Sequence, residues 1–318
     1  MKILLHTPHA EDAPAWVASL QSAQPSAHVR LWSPGDTADA DYAVLWRPPA
    51  ELFARRGKLR AMFVLGAGVD ALLALERREP GTLPAGVPLV RLEDAGMAEQ
   101  MAQYAIHAAL RYLRRFDEYD LVRREHGGDA PWRTLEPHPR ESFHIGVLGL
   151  GMLGAHVAKS LASLGFSVRG YSRGMKTIEG VDTFAGASQL PAFLDGLKLV
   201  VNLLPSTPDT DGILNRDLFA RLAHGAYLVN LARGAHLVEA DLIDALDAGR
   251  LAAATLDVFA QEPLPPEHPF WRMPRVTITP HISALTLRDP AARQIARKIE
   301  ALERGEAIGG IVDIRRGY

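Results

Sequence analysis

Glycines at 149, 151 and 154 give the spacing G-x-G-x-x-G inside "HIGVLGLGMLGAHVAKSLASLGFSVR", residues 144–169. The pattern alone is weak, because glycine is common. Here an apolar run precedes it and an uninterrupted helical segment to Leu164 follows. In that setting Gly149 permits a tight turn, Gly151 lets backbone approach a pyrophosphate, and Gly154 allows close helix–strand packing. The helix start at Met152 and Leu153 offers N–H groups and a partial positive charge to an anion. A glycine-rich turn with no ligand is the alternative, and the context disfavours it. The residues point to a bound dinucleotide.

Seventeen residues separate Gly154 from Ser172 in "GYSR", close to the ~20-residue spacing at which an acid usually takes the adenosine ribose. An Asp or Glu there would repel a 2′-phosphate. Ser172 does not repel it and can donate a hydrogen bond, Arg173 can pair with it, and Lys176 follows closely. Read alone, Arg173 and Lys176 are equally well solvated loop charges. With the acid missing as well, NADPH is the better reading than NADH.

Three further stretches place ionisable residues at strand ends: Arg233 in "NLARG", Asp257 and Glu262 in "LDVFAQEPLP", and His281 in "TPHISALT". In a doubly wound sheet, ligands bind outside the carboxyl ends of the strands, so these residues can converge. The separations of 29 and 19 residues between Arg233, Glu262 and His281 fit one helical crossover and one irregular connection.

The elements that must position them alternate along the whole chain. "KILLH" (2–6), "VRLW" (29–32), "YAVLW" (42–46), "MFVLG" (62–66) and "PLVRL" (88–92) read as buried strands. A second set comprises "HIGVLGL" (144–150), "FSVRGYS" (166–172), "LKLVVNLL" (197–204), "AYLVNLA" (226–232), "AAATLDVF" (252–259) and "RVTITPH" (275–281). Helical stretches lie between, which implies parallel strands and an α/β fold. From Met97 to about Arg124 no Pro or Gly interrupts a three-and-four apolar pattern, which predicts one long helix. Residues 125–142, rich in Gly, Pro and charge, read as an exposed arm. An amphipathic helix is predicted over 288–305, after which "GIVDI" could return as a strand.

Together with "LGAGVD" (65–70) and "GMAEQMAQYA" (96–105), these stretches resemble the D-isomer-specific 2-hydroxyacid dehydrogenase family over essentially the whole chain. The glyoxylate/hydroxypyruvate reductase branch is the most similar. The resemblance implies two Rossmann-like, doubly wound parallel-sheet domains with a cleft between them. Residues 1–96 plus 286–318 would form a discontinuous substrate domain, and 97–285 a dinucleotide-binding domain carrying the crossover helix and a dimerisation arm at 97–142. It also implies that Arg233, Glu262 and His281 are the catalytic residues. The chemistry agrees: reducing a 2-keto acid needs a hydride at C2 and a proton for the developing alkoxide. His281 can supply the proton with Glu262 favouring its charged form, while Arg233 holds the substrate carboxylate and polarises the keto oxygen.

Gly66, Ala67 and Gly68 could present N–H groups to the substrate carboxylate, or simply form a strand-to-helix turn. Trp46 faces the small substrate pocket by resemblance and could equally be core. Leu204, Pro205, Thr210 and Leu231 are expected along the adenosine and ribose path, and Asp257 at the nicotinamide carboxamide. The expected activity is NADPH-dependent reduction of glyoxylate to glycolate and hydroxypyruvate to D-glycerate, by a homodimer. A bulkier 2-keto acid and a nucleotide-sensing corepressor are the alternatives. The corepressor, like a phosphoglycerate dehydrogenase with a regulatory tail, is disfavoured because the chain begins and ends close to its first and last elements.

Other classes are argued against by composition. The 318 residues carry a formal net charge of −2, with 47% apolar and 23% charged residues, which is unlike a nucleic-acid or membrane-surface binder. There are no cysteines, hence no disulfide or thiolate chemistry. No stretch approaches the ~18 apolar residues of a membrane span, and no signal-peptide core is present, so a cytoplasmic protein is expected. The histidines are scattered, and no metal site is expected; His6 and His9 read as surface or core residues.

Overall fold

The computed structural model describes residues 1–54 and 56–317. The chain divides into two compact units, Met1–Met97 with Thr286–Tyr318, and Ala98–Leu285.

In the first unit the strands Lys2–His6 (β1), His28–Leu31 (β2), Tyr42–Leu45 (β3), Ala61–Val64 (β4) and Leu89–Val90 (β5) are parallel in the order β2-β1-β3-β4-β5. All four residues of both β3 and β4 are buried, as expected of strands covered on both faces. Three helices flank them: Ala13–Ala23 (α1), Asp70–Arg78 (α2) and Arg288–Glu303 (α9). α9 packs against α1 and buries Ala291, Ala292, Ile295, Ala296 and Ile299, one stripe at helical spacing. The order reverses between β1 and β3, a switch point of the kind at which such sheets bind ligands, and His6 and Trp46 lie at the carboxyl ends of these strands. β5 is shorter than the predicted run 88–92. The C-terminal segment returns beside it as an isolated antiparallel bridge, Val90 with Ile311, rather than as a strand. Buried Lys298 fixes that return by donating to Gly309 O (2.8 Å) and pairing with Glu93 (3.0 Å).

The second unit is a seven-stranded parallel sheet. Its strands are Ile145–Leu148 (β6), Val168–Ser172 (β7), Val181–Ala185 (β8), Leu199–Asn202 (β9), Ala226–Asn230 (β10), Leu251–Leu256 (β11) and Val276–Ile278 (β12). The order β12-β11-β10-β9-β6-β7-β8 reverses between β6 and β9, the switch point at which such sheets bind nucleotides. Alternate side chains feed two cores. Val147, Val201 and Val229 enter one, and Leu148, Val200 and Leu228 enter the other. Helices Met97–Leu113 (α3), Phe116–His126 (α4), Met152–Ser163 (α5), Leu190–Leu194 (α6), Arg216–Arg221 (α7) and Glu239–Asp247 (α8) complete the unit.

β8 escaped the sequence reading because "VDTFA" is an edge strand with no fully buried residue, so its apolar signal is thin. The predicted single helix from Met97 to Arg124 is also corrected. It breaks at Arg115, whose backbone is left-handed (φ 57, ψ 33). No glycine marks the break. Beside it the Arg115 guanidinium bonds both Glu118 oxygens at 2.7 Å.

Asp117, in the first turn of α4, is half-buried, and that burial, with Glu118 beside it, pushes its carboxyl up to about 6. The folded state therefore binds the Asp117 proton more tightly than the unfolded chain does, and stability falls as pH rises from about 4 to 6. Asp117→Asn should stabilise the protein at pH 7 by about 1–2 kcal/mol, after discounting for the part of the carboxyl that meets solvent, with the gain vanishing below about pH 4. Thermal melts at the two pH values check this.

The arm at 127–142 contains two short 3₁₀ turns, and Trp132 stands fully exposed on it. No helix among the described residues is long and apolar enough to cross a membrane, and none of their acidic, His or Cys side chains cluster as a metal site.

Candidate active site

The glycine turn joins β6 to α5, and its three glycines are needed for different reasons. A Cβ on Gly149 (φ +97) would lie 2.6 Å from the Leu203 carbonyl oxygen, and one on Gly154 would lie 1.8 Å from that of Gly149. Both are demanded by the protein's own packing. A Cβ on Gly151 would meet nothing within 4 Å. Its smallness serves space outside the fold, directly ahead of the α5 N-terminus, where Met152 is exposed and the first turn holds no acid. A pyrophosphate fits this cradle by size and by charge. Gly151→Ala should leave the melting temperature unchanged and weaken dinucleotide binding about tenfold, whereas Gly154→Ala should destabilise the fold by about 2 kcal/mol or more. Melts and fluorescence titration separate the two.

Ser172 ends β7. Its hydroxyl donates to the Gly174 carbonyl (2.8 Å) and so shapes the turn that follows the strand. Arg173 is exposed beside it. Lys176 reaches back over the glycine turn, its ammonium 2.5 Å from Leu150 O. Two cations thus follow the end of β7.

The ends of β9 and β10 are tied by a buried amide network that the sequence reading missed. Asn202 and Asn230 are each the last residue of their strand and fully buried. Asn202 Nδ2 donates to Asn230 Oδ1 and to His236 Nδ1, both at 2.9 Å. His236 is therefore an acceptor at Nδ1 and neutral. Asn202 Oδ1 accepts from Leu204 N (3.2 Å), while Asn230 Nδ2 donates to Arg233 O (3.0 Å). One network so fixes the backbone at Leu204 and at half-buried Arg233. A polar residue closing an apolar run twice, in "VVN" and "LVN", was the available signal.

Pro205 O accepts the Thr210 hydroxyl at 2.7 Å, closing the loop that carries both residues. Leu231 is a correction. At 1% exposure its side chain belongs to the hydrophobic core, with no surface for a ligand.

Beyond β11 and β12 the structure brings Glu262, His281 and Asp257 together. His281 Nδ1 lies 2.9 Å from Glu262 Oε2, and Glu262 Oε1 accepts from Phe259 N at 3.1 Å. The carboxylate thus orients the ring, fixes the proton on Nδ1 and leaves Nε2 for another partner. His281 is exposed and has φ +57, an uncommon conformation outside glycine. Asp257 has no exposed surface. Its Oδ1 accepts from Thr279 Oγ1 (2.6 Å) and Ile282 N (2.8 Å), and its Oδ2 from Ser283 N (2.8 Å). A carboxamide contact would have to share acceptors already engaged by the loop around His281.

In the first unit Trp46 is half-buried, and its ring lies against Gly66. A Cβ on Gly66 would come within 2.8 Å of that ring. Gly66 is thus buried behind Trp46 and makes room for it, leaving Ala67 and Gly68 as the half-exposed backbone of the turn. His6 holds Trp46 at both backbone groups. His6 O accepts Trp46 N (2.9 Å), and its Nδ1–H donates to Trp46 O (3.0 Å). Burial lowers the His6 imidazole from its usual range, the hydrogen bond to Trp46 O opposing the shift.

The chain is similar to known proteins over its whole length. The family model for the D-isomer specific 2-hydroxyacid dehydrogenase NAD binding domain matches residues 106–283. A glyoxylate/hydroxypyruvate reductase A of Serratia proteamaculans is 58% identical over 318 residues, all of both chains. The protein of that name from Yersinia enterocolitica is 55% identical, again over all of both chains. Among solved structures, a D-isomer specific 2-hydroxyacid dehydrogenase from Xanthobacter autotrophicus Py2, in complex with NADPH and MES, superposes with TM-score 0.91 at 40% identity, covering 100% of this chain and 99% of that one. An NADPH-dependent glyoxylate/hydroxypyruvate reductase from Sinorhizobium meliloti, in complex with NADP and sulfate, gives 0.89 at 36% identity with the same coverage. A match that spans both units, with the glycine turn and the strand-end side chains in place, leaves one conclusion: the chain belongs to the D-isomer specific 2-hydroxyacid dehydrogenase family.

Proposed function

We propose that this protein reduces small 2-keto acids, glyoxylate to glycolate and hydroxypyruvate to D-glycerate, with NADPH preferred over NADH. The observation that carries the reaction class is the His281–Glu262 pair, with the imidazole oriented through Nδ1 and exposed. NADPH, when bound, supplies the hydride for C2 of the keto acid. His281 Nε2 gives the proton to the developing alkoxide, and Glu262 holds the ring in place and stabilises it while charged. Arg233, set by Asn230, holds the substrate carboxylate and polarises the keto oxygen. Gly151 and the first amides of α5 receive the pyrophosphate, with Lys176 beside the glycine turn, and Arg173 receives the 2′-phosphate. In the first unit Ala67 and Gly68 offer N–H groups to the carboxylate, and Trp46, locked against Gly66, bounds the substrate side chain.

The named relatives, a reductase pair at 58% and 55% identity and two NADPH- or NADP-bound structures, support the same reading. The test is a substrate series followed at the nicotinamide absorption band. Higher kcat/KM for glyoxylate and hydroxypyruvate than for 2-keto acids with branched or aromatic side chains is expected. The reverse order would replace the small substrates by bulkier ones and remove Trp46 from its role.

A further inference from the structure

The segment that carries His281 is held from α3. Gln100 and Tyr104 lie four residues apart on that helix and share a face. Gln100 grips the backbone of Leu285 twice, Nε2 donating to Leu285 O (2.9 Å) and Oε1 accepting from Leu285 N (3.2 Å). One turn on, the Tyr104 hydroxyl lies 2.6 Å from Thr279 Oγ1, and Thr279 Oγ1 lies 2.6 Å from Asp257 Oδ1. The direction of this chain follows from donor counting. Asp257 already accepts backbone N–H groups at both oxygens, so it accepts from Thr279 as well. Threonine has one hydroxyl proton, which leaves Tyr104 as the donor to Thr279. Burial pushes the Tyr104 hydroxyl up to about 12, so the donor stays protonated across the neutral range.

His281 sits between these anchors, two residues after Thr279 and four before Leu285. Its left-handed backbone is a conformation that persists only where the surroundings impose it. The amide of His281 donates to Asp257 O at 2.8 Å, so the same aspartate fixes the segment by its main chain and its side chain.

We infer that Tyr104, acting through Thr279 and Asp257 and seconded by Gln100, is a positioning residue for His281. The inference rests on His281 being the proton donor proposed above. Tyr104 touches no reacting atom. Its hydroxyl keeps Asp257 and the 279–283 segment in the one arrangement that presents the imidazole.

Tyr104→Phe, Thr279→Val and their double variant test it. Each single substitution should lower kcat for glyoxylate about three- to tenfold while KM and NADPH affinity stay within about twofold. The double variant should be no worse than either single one, because both break the same chain. Independently of turnover, the ring signals of His281 in the cofactor-free protein, assigned by their loss in His281→Asn, should move in Tyr104→Phe. Wild-type kcat with an unmoved His281 signal would overturn the inference, as would additive losses in the double variant. If Tyr104→Phe does not fold, Gln100→Ala reads the same segment from its other anchor, with the same two outcomes. The NMR signal also separates the two ideas. A fully active His281→Asn would end the proton-donor reading, and positioning would then stand or fall on whether the His281 ring moves.

Discussion

Replacing His281 by Ala is expected to lower kcat for glyoxylate reduction roughly 10²- to 10⁴-fold, the range a positioned general acid supplies, and to leave NADPH affinity nearly unchanged. Two features of the site make the effect this large. The ring nitrogen facing away from Glu262 is the only one its neighbours leave for a substrate, since Nδ1 is bound at 2.9 Å to that carboxylate. The remaining ionisable groups brought close, Glu262 and Asp257, are engaged as acceptors. The backbone at His281 has φ +57, so Ala there carries a strain cost on the order of 1 kcal/mol. His281→Asn controls for it, because Asn tolerates that conformation and cannot donate the proton. Both variants should lose turnover alike in steady-state assays. An Asn variant that kept activity would assign the loss in Ala to backbone strain.

Arg173→Ala should raise the KM for NADPH roughly 10- to 100-fold and change that for NADH about twofold or less, as expected when one charge-assisted contact to a phosphate is lost. On the proposed reading Arg173 carries more of this than Ser172 or Lys176. The Ser172 proton is directed at Gly174, and Lys176 leans over the glycine turn toward Leu150. Lys176 is therefore closer to where the pyrophosphate would lie, and Lys176→Ala should weaken NADPH and NADH to similar extents. Cofactor titrations of both variants check the division. Equal losses of both cofactors in Arg173→Ala would mean that it does not read the 2′-phosphate.

How much of this was legible in the sequence depended on how far each feature announces itself locally. The buried strands did, because parallel strands covered on both faces are nearly continuous apolar runs, as in β3 and β10. The glycine turn did too, although only the coordinates separate Gly151, whose missing side chain leaves open space, from Gly149 and Gly154, whose side chains the fold itself forbids. The break at Arg115 was invisible, because nothing in its residue type asks for a left-handed backbone. What accompanies it is a side-chain pairing to Glu118. Leu231 misled for the opposite reason, since a leucine beside a strand end has the same letter whether it faces the core or a ligand. The Asn202–Asn230–His236 network and the Tyr104–Thr279–Asp257 chain join residues far apart in sequence, which spacing along one chain does not reveal.

The measurement that tests the account most directly is the initial rate of nicotinamide oxidation by the purified protein, with glyoxylate and with either NADPH or NADH. Turnover with a kcat/KM at least about tenfold higher for NADPH is predicted, the lower end of what one charged contact contributes. Equal use of the two cofactors, or a preference for NADH, would contradict the reading of Ser172-Arg173. Failure to oxidise either cofactor with glyoxylate or hydroxypyruvate would contradict the proposed reaction itself.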